Sequence, residues 1–252
     1  MEISDFKQKP SGVPILSKND IEEFAENVLS RFNPELLLVP QPVTIELLIE
    51  THLGLDVDYK NLSIDESILG LTTFDDGFVK VYTDNSKEEN LPVNEGTIII
   101  DNKLLEGNPG RLRFTYAHEA SHWILHRHIF QSNSNQMTLF EEEQEAKNIR
   151  CLTRNVETIF ANTGNRILTD DDWLEWQADS LGASLLLPKP TFKLAFNEKL
   201  ESYGIKHCPL LMNKKGEDIY FLVVNELSRM FDVSKQAVQV RLSKLKLKAE
   251  WL

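Results

Sequence analysis

Arg113-Phe114-Thr115-Tyr116-Ala117-His118-Glu119-Ala120-Ser121-His122-Trp123-Ile124-Leu125-His126 contains a His-Glu-x-x-His core. In an α-helix, positions four apart lie about one turn apart on one face, so His118 and His122 can present two imidazoles to one metal ion. Glu119, next to His118, projects close to that point without taking a coordination position, as suits a general base acting on water. Four of the six histidines, His118, His122, His126 and His128, fall within eleven residues. A bare five-residue pattern can arise by chance, so its surroundings matter. Asn108-Pro109 supplies a cap and a proline at the first helical position, predicting a helix from there to about His126. Phe114, Ala117, Ile124 and Leu125 give that helix an apolar side for a core.

A catalytic zinc usually takes three protein ligands and leaves the fourth position to water, so a third ligand is expected downstream. Thr169 followed by Asp170, Asp171 and Asp172 is an acidic helix start favoured by the macrodipole, and the helix is expected to reach Leu187, where Pro188 and Pro190 stop it. On it, in Trp173-Leu174-Glu175-Trp176-Gln177-Ala178-Asp179, Glu175 sits between two tryptophans and ahead of Leu181, Leu185 and Leu186. An acid among that much apolar surface is more easily explained by a metal than by water. Asp179 shares its face, placed to accept the free N–H of a ligand histidine and hold its tautomer. A donor for a developing oxyanion is also wanted, and Tyr116, His126 and His128 are the candidates. His52 and His207 show no partner pattern, and Cys151 reads as a small buried side chain.

With these residues in place the sequence resembles the ImmA/IrrE metallo-endopeptidases. The resemblance rests on residues 113–126 and on Glu175-Trp176-Gln177-Ala178-Asp179 leading to Leu185-Leu186-Leu187-Pro188, and extends to Ser67-Ile68-Leu69-Gly70 and Gly96-Thr97-Ile98-Ile99-Ile100-Asp101. It implies a zincin-like peptidase carrying one Zn2+ per chain, with His118, His122 and Glu175 as metal ligands and Glu119 as base. It further implies a protein substrate, a helix-turn-helix repressor whose cleavage relieves repression.

Around that centre the expected class is α+β: a small three-stranded sheet packed on helices. Residues 1–18 read as a flexible leader, and a helix is expected from Asn19, where Asn19 and Glu22 have capping-box spacing. Another runs through Ile45, Leu48 and Ile49 to Gly54. Ser67 to Phe74 and Phe78 to Thr83 read as two strands of a hairpin turning at Asp76-Gly77, and Gly96 to Asp101 as a third, well-covered strand. The peptidase domain is expected over 19–224, with a solvated insertion carrying one helix at 131–170.

The tail, 225–252, reads as a helix-turn-helix: Leu227 to Phe231, a turn at Asp232-Val233-Ser234, then a helix bearing Lys235, Gln239 and Arg241. Six basic and three acidic side chains give it a net of +3, so the other 224 residues carry −15 of the total −12. That acidic body argues against direct DNA binding by the whole chain, although a metal-containing DNA-binding regulator, or an inactive protein-binding module, is the alternative to a peptidase. A hydrophobic fraction of 41% excludes a disordered chain. Two cysteines, Cys151 and Cys208, make no disulfide framework. The polar segment Met1 to Ser17 does not read as a signal peptide, and no apolar run approaches membrane-spanning length, so a cytoplasmic protein without membrane contact is expected.

Overall fold

Helices pack on one face of a four-stranded sheet in the computed structural model, which describes residues 2–131, 145–152, 169–206 and 208–250. Helix α1 (Lys18–Phe32) is followed by a short turn, α2 (Ile45–Leu47), that widens into a π-helical turn over Leu48–Leu53. Strands β1 (Asp56–Lys60), β2 (Ile68–Thr73), β3 (Gly77–Tyr82), β4 (Glu88–Val93) and β5 (Thr97–Asp101) come next, then helix α3 (Pro109–Gln131). After β6 (Asn148–Leu152) the order is α4 (Asp170–Leu186), α5 (Lys189–Ser202), β7 (Leu210–Met212), α6 (Lys214–Met230), α7 (Lys235–Lys244) and β8 (Lys248–Glu250). No helix among the described residues is long and apolar enough to cross a membrane.

The helix ends follow local chemistry. The cap of α1 lies two residues before the expected Asn19, because Ser17 and Asp20 form the reciprocal box. Gly54, at φ +67°, closes the second helical segment where a side chain would be strained. Asn108 takes the Gly110 N–H at the start of α3, and α3 then runs past His126 to Gln131. Thr169 and Asp172 cap α4 reciprocally, as the acidic start suggested. Pro188 and Pro190 end α4 and open α5 as well, since a proline near a helix start loses no hydrogen bond.

The sheet order is β1-β5-β2-β6, with β1 parallel to β5 and the other neighbours antiparallel. β5 is buried at every position because both faces are covered. Ile98 and Ile100 enter the main core with the helices, while Ile99 joins Leu71, Val79 and Val81 in a smaller core under β3 and β4.

Three expectations are corrected here. β2 and β3 do not form a hairpin: β3 pairs with β4 in a separate ribbon, and neither Asp76 nor Gly77 adopts the positive φ a two-residue turn needs. Asp76 instead accepts the Glu95 N–H and Asp75 the Lys147 N–H, which steers the chain out of the first sheet. The insertion 131–170 also contributes β6, a fourth strand on β2; the helix expected in it and the Cys151 side chain lie outside the described residues, as does His207. The leader is not loose. Val13 and Leu16 are buried, Lys9 N–H and Ile15 N–H bond to Val13 and Lys7 carbonyls at 2.8 Å each, and Lys9 pairs with Asp170 at 2.7 Å.

The tail is continuous with the body. α6 runs unbroken across residues 224 and 225, and Leu227, Phe231, Val238 and Leu242 belong to the same core as Phe114, Leu181 and Leu185. The turn between α6 and α7 lies at Asp232, φ +51°, with Ser234 capping α7. Arg241 points inward. Its guanidinium meets Glu22 twice, at 2.5 and 2.7 Å, and donates to the Leu187 carbonyl at 3.0 Å and Ser184 Oγ at 3.2 Å.

Candidate metal centre

α3 places His118, His122 and His126 on one row, and all three are fully buried. α4 crosses that row. Close approach is possible because Gly182 faces Ala117 and His118: a Cβ there would lie 3.1 to 3.2 Å from their backbone atoms. The crossing brings Glu175 to the two outer nitrogens, with Glu175 Oε2 3.5 Å from His118 Nε2 and Glu175 Oε1 3.5 Å from His122 Nε2. The two Nε2 atoms are 2.9 Å apart.

His118, His122 and Glu175 could therefore hold a metal ion: their donor atoms all lie within 4.8 Å of one another. Ligands about 2.0–2.1 Å from a tetrahedral zinc stand roughly 3.3 Å from each other, which these separations bracket. The chemistry of the set fits as well. Asp179 Oδ1 takes the Nδ1–H of His118 at 2.8 Å, leaving Nε2 as an acceptor turned toward Glu175 and His122. Two imidazoles and a carboxylate are a donor set suited to zinc and its transition-metal neighbours. Glu175 is 23% exposed in its side chain while both histidines are buried, so the centre meets solvent on the α4 side.

Burial governs the titration of this group. It holds His122 well below the ordinary histidine range, with His118 and His126 adding to the effect. It pulls His126 down to about 3, against the opposing effect of the hydrogen bond that His126 donates to Gln177 Oε1. Burial raises Asp179, and the hydrogen bond from His118 partly offsets it.

Glu119 is buried under β2. Thr72 Oγ1 donates to Glu119 Oε2 at 2.5 Å, and a Cβ on Gly70 would fall 2.7 Å from Glu119 Oε1, so only glycine leaves room for the carboxylate. A register shift between Ile68 and Gly70 on the β6 side accompanies this contact.

The other candidates separate. Tyr116 faces away, its hydroxyl bonded to that of Tyr59, and burial followed by that bond raises its pKa. His128 Nε2 meets the Gly12 carbonyl at 3.1 Å. His126 does adjoin the centre, but through His122 Nδ1 at 3.0 Å on one side and Gln177 Oε1 at 3.0 Å on the other. Gly70, Thr72 and Gln177 were not singled out from the sequence. A glycine and a hydroxyl two apart in an apolar strand were a usable sign for the first two; Gln177 carried none.

No protein-family model matches the chain, and no curated protein matches it. Among solved structures, one described as a Mycobacterium tuberculosis transcriptional regulator is similar with a TM-score of 0.43 and 13% sequence identity, over 96% of this chain and 51% of that one. The chain thus spans about half the length of that protein.

Proposed function

We propose that the chain is a zinc-dependent endopeptidase, with His118, His122 and Glu175 as metal ligands and Glu119 as general base, and that its substrate is a helix-turn-helix transcriptional repressor. The observation that carries the proposal is the convergence of two buried imidazoles and one carboxylate beside a second, fully buried carboxylate. Three protein ligands leave one position open, whereas a structural zinc site closes with four. When bound, zinc supplies Lewis acidity toward water and a peptide carbonyl. Glu119 accepts the proton of the attacking water and returns it to the leaving amine, while the Thr72 hydroxyl holds its Oε2 in place. Asp179 keeps the His118 proton on Nδ1.

The repressor as substrate follows from the likeness of residues 113–126 and 175–188 to the ImmA/IrrE enzymes. The net of −15 on residues 1–224 favours encounter with a basic DNA-binding protein. Arg241, turned onto Glu22, supports a packing role for the tail over DNA reading.

Purified protein is expected to hold close to one zinc per chain by elemental analysis, lost in His118→Ala and Glu175→Ala and kept in Glu119→Gln. Incubation with the repressor encoded beside it should give fragments by mass spectrometry with the wild type and none with Glu119→Gln. Intact repressor after incubation with zinc-loaded wild type, together with salt-dependent binding of the chain to its own upstream DNA, would reverse the assignment in favour of a regulator.

A further inference from the structure

We infer that His126, Gln177 and the backbone of the N-terminal segment form a one-way hydrogen-bond chain that determines which nitrogen of His122 is left for the metal. The inference rests on the reading that His118, His122 and Glu175 bind a metal ion. Its starting point is Pro14, whose carbonyl can only accept. Gln177 Nε2 stands 2.6 Å from it and must be the amide nitrogen, so Gln177 Oε1 faces His126 Nε2 at 3.0 Å. An amide oxygen also only accepts, so His126 carries its proton on Nε2. In the neutral ring Nδ1 is then an acceptor, and His122 Nδ1, 3.0 Å away, must donate to it. The lone pair of His122 is thereby placed on Nε2, where it faces the His118 Nε2 lone pair at 2.9 Å as well as Glu175, a repulsion that a cation held between the two rings relieves.

The reverse polarity fails at its outer end. For His126 Nε2 to accept, the Gln177 amide must turn over, which sets its oxygen against the Pro14 carbonyl oxygen 2.6 Å away. Water has no access to relieve that clash, because Pro14 and Gln177 are buried.

The two ligand histidines are therefore oriented by different devices: a carboxylate, Asp179, serves His118, and an uncharged relay serves His122. The relay adds no second negative charge to the centre. Its terminus comes from outside α3 and α4, on the segment bearing Pro14, which is fastened to the start of α4 by the Lys9–Asp170 ion pair and by Lys9 over the Trp173 ring, and to the core by the buried Val13 and Leu16. Gln177, His126 and the Pro14 carbonyl are positioning groups, acting on the metal through His122.

The test uses the full chain, stripped of metal with a chelator. Long-range proton–nitrogen NMR of the histidine rings should find His122 protonated on Nδ1; a proton on Nε2 overturns the inference with no variant needed. Zinc affinity is then measured by competition with a chromophoric chelator. Gln177→Met should bind zinc about 10–100-fold more weakly, with the Nδ1–H signature of His122 lost. Gln177→Glu, kept protonated by burial, donates its O–H to the Pro14 carbonyl and still accepts from His126, and should keep both the tautomer and an affinity within a few-fold of wild type. If Gln177→Met binds as tightly as wild type, or if Gln177→Glu loses as much as Gln177→Met, the direction of the chain is not what sets His122. A wild-type chain that binds no zinc defeats the metal reading instead, while the His122 tautomer still reports on the relay.

Discussion

In β2, a hydrogen atom stands where every other residue type has a carbon. The Glu119 carboxylate fills that space, with a Cβ on Gly70 falling 2.7 Å from Glu119 Oε1, 2.8 Å from Thr115 Cγ2 and 2.9 Å from Glu119 Cγ. Gly70→Ala is expected to push Glu119 out of place and, on the proposed peptidase reading, to lower peptide cleavage about 100-fold while zinc content stays near one per chain. Cleavage assays beside elemental analysis separate the two effects. His126 makes a different kind of prediction. Its folded pKa of about 3 lies below its ordinary value of 6.5, so in the metal-free chain the unfolded state takes up a proton first as the medium is acidified. The stability tied to its neutral form is thus complete above pH 6.5 and is lost as pH falls toward 3. Denaturation midpoints of wild type and His126→Gln, compared between pH 6 and 4, should differ in slope by about one proton, ~1.4 kcal/mol per pH unit. His118 with His122, and Glu175 with Asp179, were legible because helical spacing puts each pair on a face, and Glu119 because it adjoins His118. Pro14 reaches the centre only through tertiary contact, which no local spacing encodes; Gly70 and Thr72 stand out as a glycine and a hydroxyl two apart in an apolar strand, but nothing local says that Glu119 lies beneath them.

At the scale of elements, α7 is the clearest instance of a pattern whose local reading and tertiary use part. Its sequence has the turn, the cap and the basic side chains of a recognition helix, yet its Arg241 is only 3% exposed and holds Glu22 in a two-pronged ion pair. Periodicity reports that a helix forms and which side is apolar, but a buried arginine looks the same in sequence as an exposed one. Arg241→Ala leaves the Glu22 carboxylate without its partner in a dry setting and is expected to cost about 3 kcal/mol. Replacing both, as Glu22→Gln with Arg241→Met, should recover most of that loss in chemical denaturation; no recovery would show that the guanidinium acts chiefly through the Leu187 carbonyl and Ser184. The misread hairpin at Asp76-Gly77 has a similar origin. Two strands and a turn dipeptide were present, but Asp75 and Asp76 are committed to Lys147 and Glu95, and those bonds set the path.

Across the whole molecule, one hydrophobic core extends from Leu16 to Leu247 and takes in α1, α3, α4, α5, α6 and α7. A boundary at residue 224 has no counterpart in that packing. Removing residues 225–252 strips Leu227, Phe231, Val238 and Leu242, each fully buried, from the core. The shortened chain is expected to lose its cooperative melt by circular dichroism and to elute as aggregate in gel filtration; a sharp melt at an unchanged midpoint would mean the tail is an appendage after all. The α+β class was legible from the alternation of periods along the chain. The joining of leader, body and tail was not, because it depends on contacts between residues more than a hundred positions apart, such as Gln177 with Pro14 and Arg241 with Glu22.

That last contact also bears on the order of events during synthesis. Arg241 fastens the C-terminal turn of α4 through Leu187 and Ser184, but the ribosome makes it well after both histidines and Glu175. A nascent chain therefore displays His118, His122 and Glu175 before the helix carrying Glu175 is secured at its far end. That end is fastened only after α7 has left the ribosome, so the full packing around the three side chains belongs to the finished chain.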